Sequence, residues 1–153
     1  MRNQQITLEA IEAKQAEVSK MIEAFKANAK STRGIPQALI ELKSGERYVG
    51  IVLDADGEPS HHLILLPGDA ADLKWEDAKN WAAEQGGELP SRNEQSLLFA
   101  NLKGQFQGAY YWSNQQYETE SSWAWCQGFS TGRQDSTHEY DELRARAVRR
   151  LVI

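Results

Sequence analysis

Apolar and polar positions recur with two different periods along this chain of 153 residues, and the change of period marks its organisation. Residues 7 to 29, "TLEAIEAKQAEVSKMIEAFKANA", contain neither Gly nor Pro and are rich in Ala, Glu and Lys, which predicts a helix with Thr7 as its N-cap. Its apolar side chains follow heptad spacing if Gln15 is counted as a polar member of the seam. Leu8, Gln15, Ile22 and Ala29 take the a positions, and Ile11, Val18 and Phe25 take d. Branched residues at d with Leu or Ile at a favour trimers over dimers, and a lone polar a residue fixes register. Met21 widens the stripe, so the pattern equally suits an amphipathic helix lying on its own domain.

A hinge is expected at residues 31 to 34, inside "KSTRG", between an N-terminal helical segment at 1–30 and a domain at 35–153. From Ile35 to Leu66 short apolar runs are broken at Ser44-Gly45 and from Asp54 to Pro59, which predicts three short strands joined by turns. "DLKWEDAKNWAAEQGG" returns to helical spacing at Trp75, Ala78 and Ala82, with Asp72 as the expected cap and Gly86 as the expected stop. A second helix starts after Pro90, where Ser91 and Glu94 have the spacing of a capping box. "AYYWS", "SWAWCQGF" and "LRARAVRRLVI" read as strands, separated by polar loops at 114–122 and 131–142. The fold class is therefore α+β.

The composition, 41% hydrophobic and 25% charged, is that of a folded domain. A net charge of −5 argues against general nucleic-acid binding, which needs a surplus of Lys and Arg. Cys126 is the single cysteine, so no intrachain disulfide forms, and a reducing cytoplasmic location is expected. The N-terminus lacks a signal-like apolar stretch, and "LILL" at 63–66 is too short to span a bilayer, so no membrane partner is expected.

Four stretches, "WEDAKNWAAEQGGELPSRNEQ", "YYWSN", "WAWCQGFSTG" and "RARAVRR", together resemble the C-type-lectin-like superfamily. The likeness is closer to the branch named for the C-terminal domain of a bacterial collagen-like protein, a former domain of unknown function common in phage and prophage genes. It covers roughly residues 35–153. The resemblance implies a mixed, mainly antiparallel sheet whose first and last strands pair, two covering helices, and late loops that form a tolerant binding face. Relatives that recognise receptors often do so as trimers. The long-loop lectins' calcium triplet is not reproduced: "EPS" at 58–60 precedes the helices, and "WSN" at 112–114 lacks the acid. The related formylglycine-generating oxidases need a cysteine pair, which this chain does not have.

Cys126 and His138 are the residue types of a nucleophile and base, but a Cys on an aromatic strand is more often a small packed residue. His61 and His62 are adjacent in a strand, so they point to opposite faces and do not grip one ion. "HEYDE" at 138–142 lacks calcium-loop spacing, and no Gly-rich phosphate cradle occurs. No catalytic residue, metal or cofactor is expected. On the closing strand Arg149 falls among apolar neighbours and needs a carboxylate or carbonyl tie. Arg144, Arg146 and Arg150 share the other face, either as a basic stripe or as the charge that keeps an edge strand soluble.

Tyr110, Tyr111, Trp112, Tyr117, Trp123, Trp125 and Phe129 crowd into one short stretch. The family pattern implies a core role for Trp112, Trp125 and Phe129, leaving Tyr111, Tyr117 and Trp123 as surface candidates surrounded by polar loops, the alternative being that they pack beneath those loops. Tyr and Trp give contact area at small entropic cost. The expected binding set is Tyr111, Tyr117, Trp123, Arg133, Gln134, His138 and Tyr140. The expected partner is a protein, with a glycan as the alternative and a homo-oligomer of the chain itself, trimer before dimer. Two biological settings fit: a receptor-binding, tail-associated module, or an intracellular effector acting on a host enzyme or defence complex.

Overall fold

The computed structural model describes residues 6–31 and 34–153. Residues 32 and 33 of the hinge expected at 31–34 fall outside them, as does the side chain of Ala29. The chain divides into two units, Met1–Gln37 and Ala38–Ile153. The first contains helix α1 (Leu8–Ser31), opened as expected by Thr7, whose Oγ1 accepts the Ala10 N–H at 3.2 Å. Along α1 the seam residues Leu8, Ile11, Val18, Ile22 and Phe25 are all exposed, between 47% and 74%.

The second unit is α+β, with two sheets whose pairings are antiparallel except one. Strands β1 (Arg47–Leu53) and β2 (Pro59–Leu65) form a hairpin. Its turn is set by Asp54, whose Oδ1 accepts the N–H groups of Asp56 and Glu58, both at 2.9 Å. The third strand expected here is absent: residues 38 to 43 pair with no neighbour, and alternation alone does not make a strand where no sheet edge is offered. That segment instead supplies the Glu41 carbonyl to the closing strand.

Strand β3 (Ala70–Leu73) leads into α2 (Trp75–Glu84). Asp72 does not cap α2. It sits at φ 56, and the first helical N–H, on Trp75, is satisfied by the Glu139 carbonyl at 3.0 Å. Gly86, at φ 85, closes the helix as expected, its N–H reaching Ala83 O while the Gly87 N–H reaches Ala82 O. Gly87 has no room for a side chain, since a Cβ there would lie 2.3 Å from the Val148 carbonyl. Helix α3 (Arg92–Leu102) begins with the expected capping box: Ser91 Oγ accepts the Glu94 N–H at 3.2 Å, and Glu94 Oε1 accepts the Ser91 N–H at 2.8 Å.

The remaining strands are β4 (Tyr110–Gln116), β5 (Trp123–Gly128), β6 (Gln134–His138), β7 (Leu143–Ala145) and β8 (Val148–Val152). They complete a three-stranded sheet, β1-β2-β8, and a five-stranded sheet, β3-β7-β4-β5-β6, in which β4 and β7 are the parallel pair. Two expectations are corrected. Residues 134–138 of the polar loop expected at 131–142 are strand β6, an edge strand too polar to carry an apolar alternation. The single closing strand is two, divided at Arg146-Ala147 and shared between the sheets, with β8 pairing β2 rather than the first strand β1.

The division of the closing strand decides the fate of its arginines. Arg149 has its expected tie, with Nη2 and Nε on Glu46 at 2.7 and 3.0 Å and Nη2 on the Glu41 carbonyl at 3.1 Å. Arg144, Arg146 and Arg150 form no surface stripe. Arg146 is buried against the carbonyls of Gln105 and Leu66, Arg144 pairs with Asp69, and Arg150 pairs with Glu94.

Two apolar clusters hold the layers together. Helix α2 presses Trp75, Ala78 and Ala82 onto Trp112, Ala124, Cys126 and Ala145 on one face of the five-stranded sheet. On the other side Leu98 of α3 joins Tyr111, Phe129, Leu63, Leu65 and Val148. Strand β4 is thus covered on both faces, and adjacent residues Tyr111 and Trp112 are both fully buried.

Candidate functional site

Polar atoms buried where β2, β8 and α3 meet fix the start of α3. The Glu94 carboxylate, 1% exposed, takes Arg150 in two-pronged fashion, Nε and Nη2 each at 2.7 Å, and His61 Nε2 at 2.8 Å. Burial by itself pushes this carboxyl up. The Arg150 guanidinium and the Ser91 N–H outweigh it and hold the group at about 2, below its ordinary 4.5. Ser60 Oγ lies 3.0 Å from His61 Nδ1, so hydroxyl, imidazole and carboxylate stand in line. Arg150 matches the charge of that carboxylate, and the line serves as a structural tie.

Arg92, the residue after the cap, carries this order to the sheet surface. Its guanidinium carbon is 3.5 Å from the centroid of the Trp125 ring, and its Nε donates to Gln134 Oε1 at 3.0 Å. Gln134 is fully engaged: its Nε2 donates to Arg92 O at 2.7 Å and Gln127 Oε1 at 2.9 Å. It is a strut between β6 and α3, not the free contact group expected of it. Trp125 is likewise not a core residue. It is half-buried, tilted against Tyr117 at 5.2 Å, and its Nε1 donates to Glu118 at 3.2 Å. On that face of β5 Arg92 and Tyr117 flank Trp125 and leave it half-buried, while Ala124 and Cys126 on the opposite face are buried.

Next to it the β5–β6 ladder pairs Trp123 with His138. Their rings approach edge-on at 6.3 Å, and His138 stacks on Tyr140 at 5.2 Å and 26°. The Tyr140 N–H donates to His138 Nδ1 at 3.2 Å, which fixes the imidazole. Trp123 is 36% exposed and Tyr140 70%, and Lys74 Nζ stands 5.8 Å from the Tyr140 ring. The Glu139 N–H bonds the Ser122 carbonyl at 2.8 Å, and Gln116 Nε2 bonds Glu139 Oε1 at 3.0 Å, so the two late loops are tied together beneath these rings.

Of the expected set, Trp123, His138 and Tyr140 therefore form one run of rings, and Tyr117 joins Trp125 and Arg92 in a second group on the same strand face. Arg133 is exposed and pairs with Asp135 at 3.2 Å. Tyr111 is corrected outright: at 1% exposure it is core, its hydroxyl donating to Asp69 Oδ2 at 2.6 Å and accepting the Gln107 N–H at 3.0 Å. Burial, and then Asp69, raise its phenol above the ordinary range. The family pattern put Trp125 in the core, although strand alternation places it on the same face as Trp123, and Arg92 and Glu118 were missed because their contacts to Trp125 join segments apart in the chain.

Cys126 lines a cleft of about 270 Å³ with Tyr110, Asp135, Ser136, Thr137 and Leu143. Burial, reinforced by Asp135 and Asp141, pushes its thiol up to about 12, so it stays protonated. It pairs across the ladder with Asp135, three positions from His138, and the two do not converge. Among the described residues no group of three His, Cys, Asp or Glu side chains is placed to hold a metal ion, and no helix is long and apolar enough to cross a membrane. No protein-family model matches the chain, and no curated protein matches it.

Proposed function

We propose that this chain is a C-type-lectin-like recognition module of the collagen-like-protein C-terminal branch, which binds a protein partner without chemistry. The observation that carries the reading is the run Trp123, His138 and Tyr140 at the open end of the five-stranded sheet. Three rings held in register by the β5–β6 ladder and by the loop bond from Glu139 to Ser122 present large, stiff contact area. Such anchors dominate binding energy because they lose few rotamers on docking. The α+β architecture, with helices packed against mainly antiparallel sheets, is compatible with this reading, while β8 pairing β2 instead of the first strand departs from the arrangement the resemblance implies.

In this reading α1 brings copies of the chain together. Its exposed apolar seam gains burial against a second copy, and Gln15 within the seam finds an equivalent amide at the same level.

The test is comparative capture from native host extract with wild type and with Trp123→Ala/Tyr140→Ala. A protein retained by wild type and lost with the variant, the variant remaining folded by circular dichroism, is the expected result. Identical retention by both overturns the assigned face.

A further inference from the structure

The chain's excess negative charge falls in one stretch of its sequence, although Arg92 and Lys74, from outside that stretch, also reach its rings. Residues 114 to 142 contain six carboxylates, Glu118, Glu120, Asp135, Glu139, Asp141 and Glu142, against the single cation Arg133, a net of −5 that equals the net charge of the whole protein. The remaining residues carry sixteen charges of each sign. This segment is also the one that supplies every ring of the recognition face, on β5, β6 and their loops. The two loops holding carboxylates are joined where the Glu139 N–H bonds the Ser122 carbonyl at 2.8 Å and Gln116 Nε2 bonds Glu139 Oε1 at 3.0 Å.

We infer that the partner's docking element is a basic, extended protein segment, with an Arg or Lys side chain over the Trp123 ring, beside Tyr140 and within the field of these carboxylates. This rests on the recognition reading above and names its ligand class. Three observations favour it. The carboxylates do not converge on a metal position, so their field acts on cations arriving from outside, not on a resident ion. The rings of this face already take cations from their own chain, Arg92 over Trp125 and Lys74 beside Tyr140, while among the described residues no cation covers Trp123. Strand β6 ends its sheet, paired only with β5, so an extended segment has a backbone edge to follow. A neutral glycan would stack on the rings but gain nothing from the charge, and an anionic polymer would be repelled.

The experiment titrates two labelled dodecapeptides of Arg, Ser and Gly, identical except that Glu replaces Arg in the second, into the full chain by fluorescence polarisation, with a chitooligosaccharide as neutral probe. The Arg peptide is expected to bind saturably, more weakly as salt rises, and the Glu peptide not at all. Trp123→Ala should lower the affinity about tenfold, the value of one well-placed cation–π contact in a partly desolvated setting. Glu120→Gln/Glu142→Gln should lower it about two- to fivefold, as expected for exposed charges. Equal binding of both peptides, indifference of the Arg peptide to Trp123→Ala, or saturable binding of the sugar without the Arg peptide each overturns the inference. The two readings fail separately. A captured host protein that depends on Trp123 and Tyr140 but survives Glu120→Lys/Glu142→Lys keeps the recognition face and removes the basic ligand; one that depends on none of them removes both.

Discussion

Arg92 and Trp125 come from different segments of the chain, one on α3 and one on β5, yet the guanidinium of the first lies 3.5 Å from the ring centroid of the second. The pair joins the helix start, fixed by Ser91 and Glu94, to the aromatic surface. Arg92→Ala is expected to unfold the chain about 1–2 kcal/mol more easily, through loss of the stacked cation and of the bond to Gln134. It should also red-shift the Trp125 emission. Chemical denaturation and tryptophan fluorescence, with Trp125→Phe as control, check both; unchanged emission would count against the contact.

Breaking the buried pair behind that helix start should be far more damaging. Glu94→Gln leaves the Arg150 guanidinium without its carboxylate, and removal of one partner of a buried pair costs about 3–5 kcal/mol. Glu142→Gln, on an exposed loop, should stay within about 0.5 kcal/mol of wild type. Urea midpoints of the two variants side by side provide the measurement.

The same pair gives the fold an acid limit. The Glu94 carboxyl is held at about 2 when folded, against 4.5 ordinarily, so between those values the unfolded chain binds more protons than the folded one. Stability from this group is therefore complete above about pH 4.5, falls as pH drops through that window, and is gone below about pH 2. Glu46, which Arg149 also lowers to about 2, acts in the same direction. For Glu94 the shift corresponds to about 3 kcal/mol. Denaturation midpoints measured from pH 2 to 6 should follow this slope in wild type and lose part of it in Glu94→Gln.

Two tyrosines of the expected binding set should separate cleanly. Tyr140→Ala removes a ring that is 70% exposed and should leave stability within about 0.5 kcal/mol while abolishing partner binding. Tyr111→Ala removes a fully buried ring that contacts Phe106 and Phe129 and should cost about 3–5 kcal/mol. Thermal melts beside a binding assay distinguish surface from core.

Self-association through α1 predicts a sedimentation mass that is a multiple of 17.3 kDa, with three copies expected from the heptad pattern. Val18→Asp/Ile22→Asp places charge in the seam and should return a single 17.3 kDa species. A monomer in wild type would remove the assembly role of the helix.

The chain's local chemistry was legible in its residues. Thr7 and Ser91 with Glu94 declare where two helices start, because a cap bonds a backbone N–H only three residues away. Gly86 closes α2 because only a residue free to adopt positive φ does so without strain. Arg149 needed a partner wherever it sat, since a guanidinium among apolar neighbours is not left bare, though Glu46 could not be named from sequence. What the sequence did not contain was coverage. Alternation along a strand separates two faces but cannot say which face another segment will cover, and β4 is covered on both while one face of β5 leaves Trp123 exposed and Trp125 half-buried. That difference sent Tyr111 inward, brought Trp125 to the surface beside Arg92, turned a polar loop into the edge strand β6, and divided the closing strand between two sheets. Caps and turns are decided within a few residues. Exposure is decided by packing between segments far apart in the chain, and only the tertiary structure brings those together.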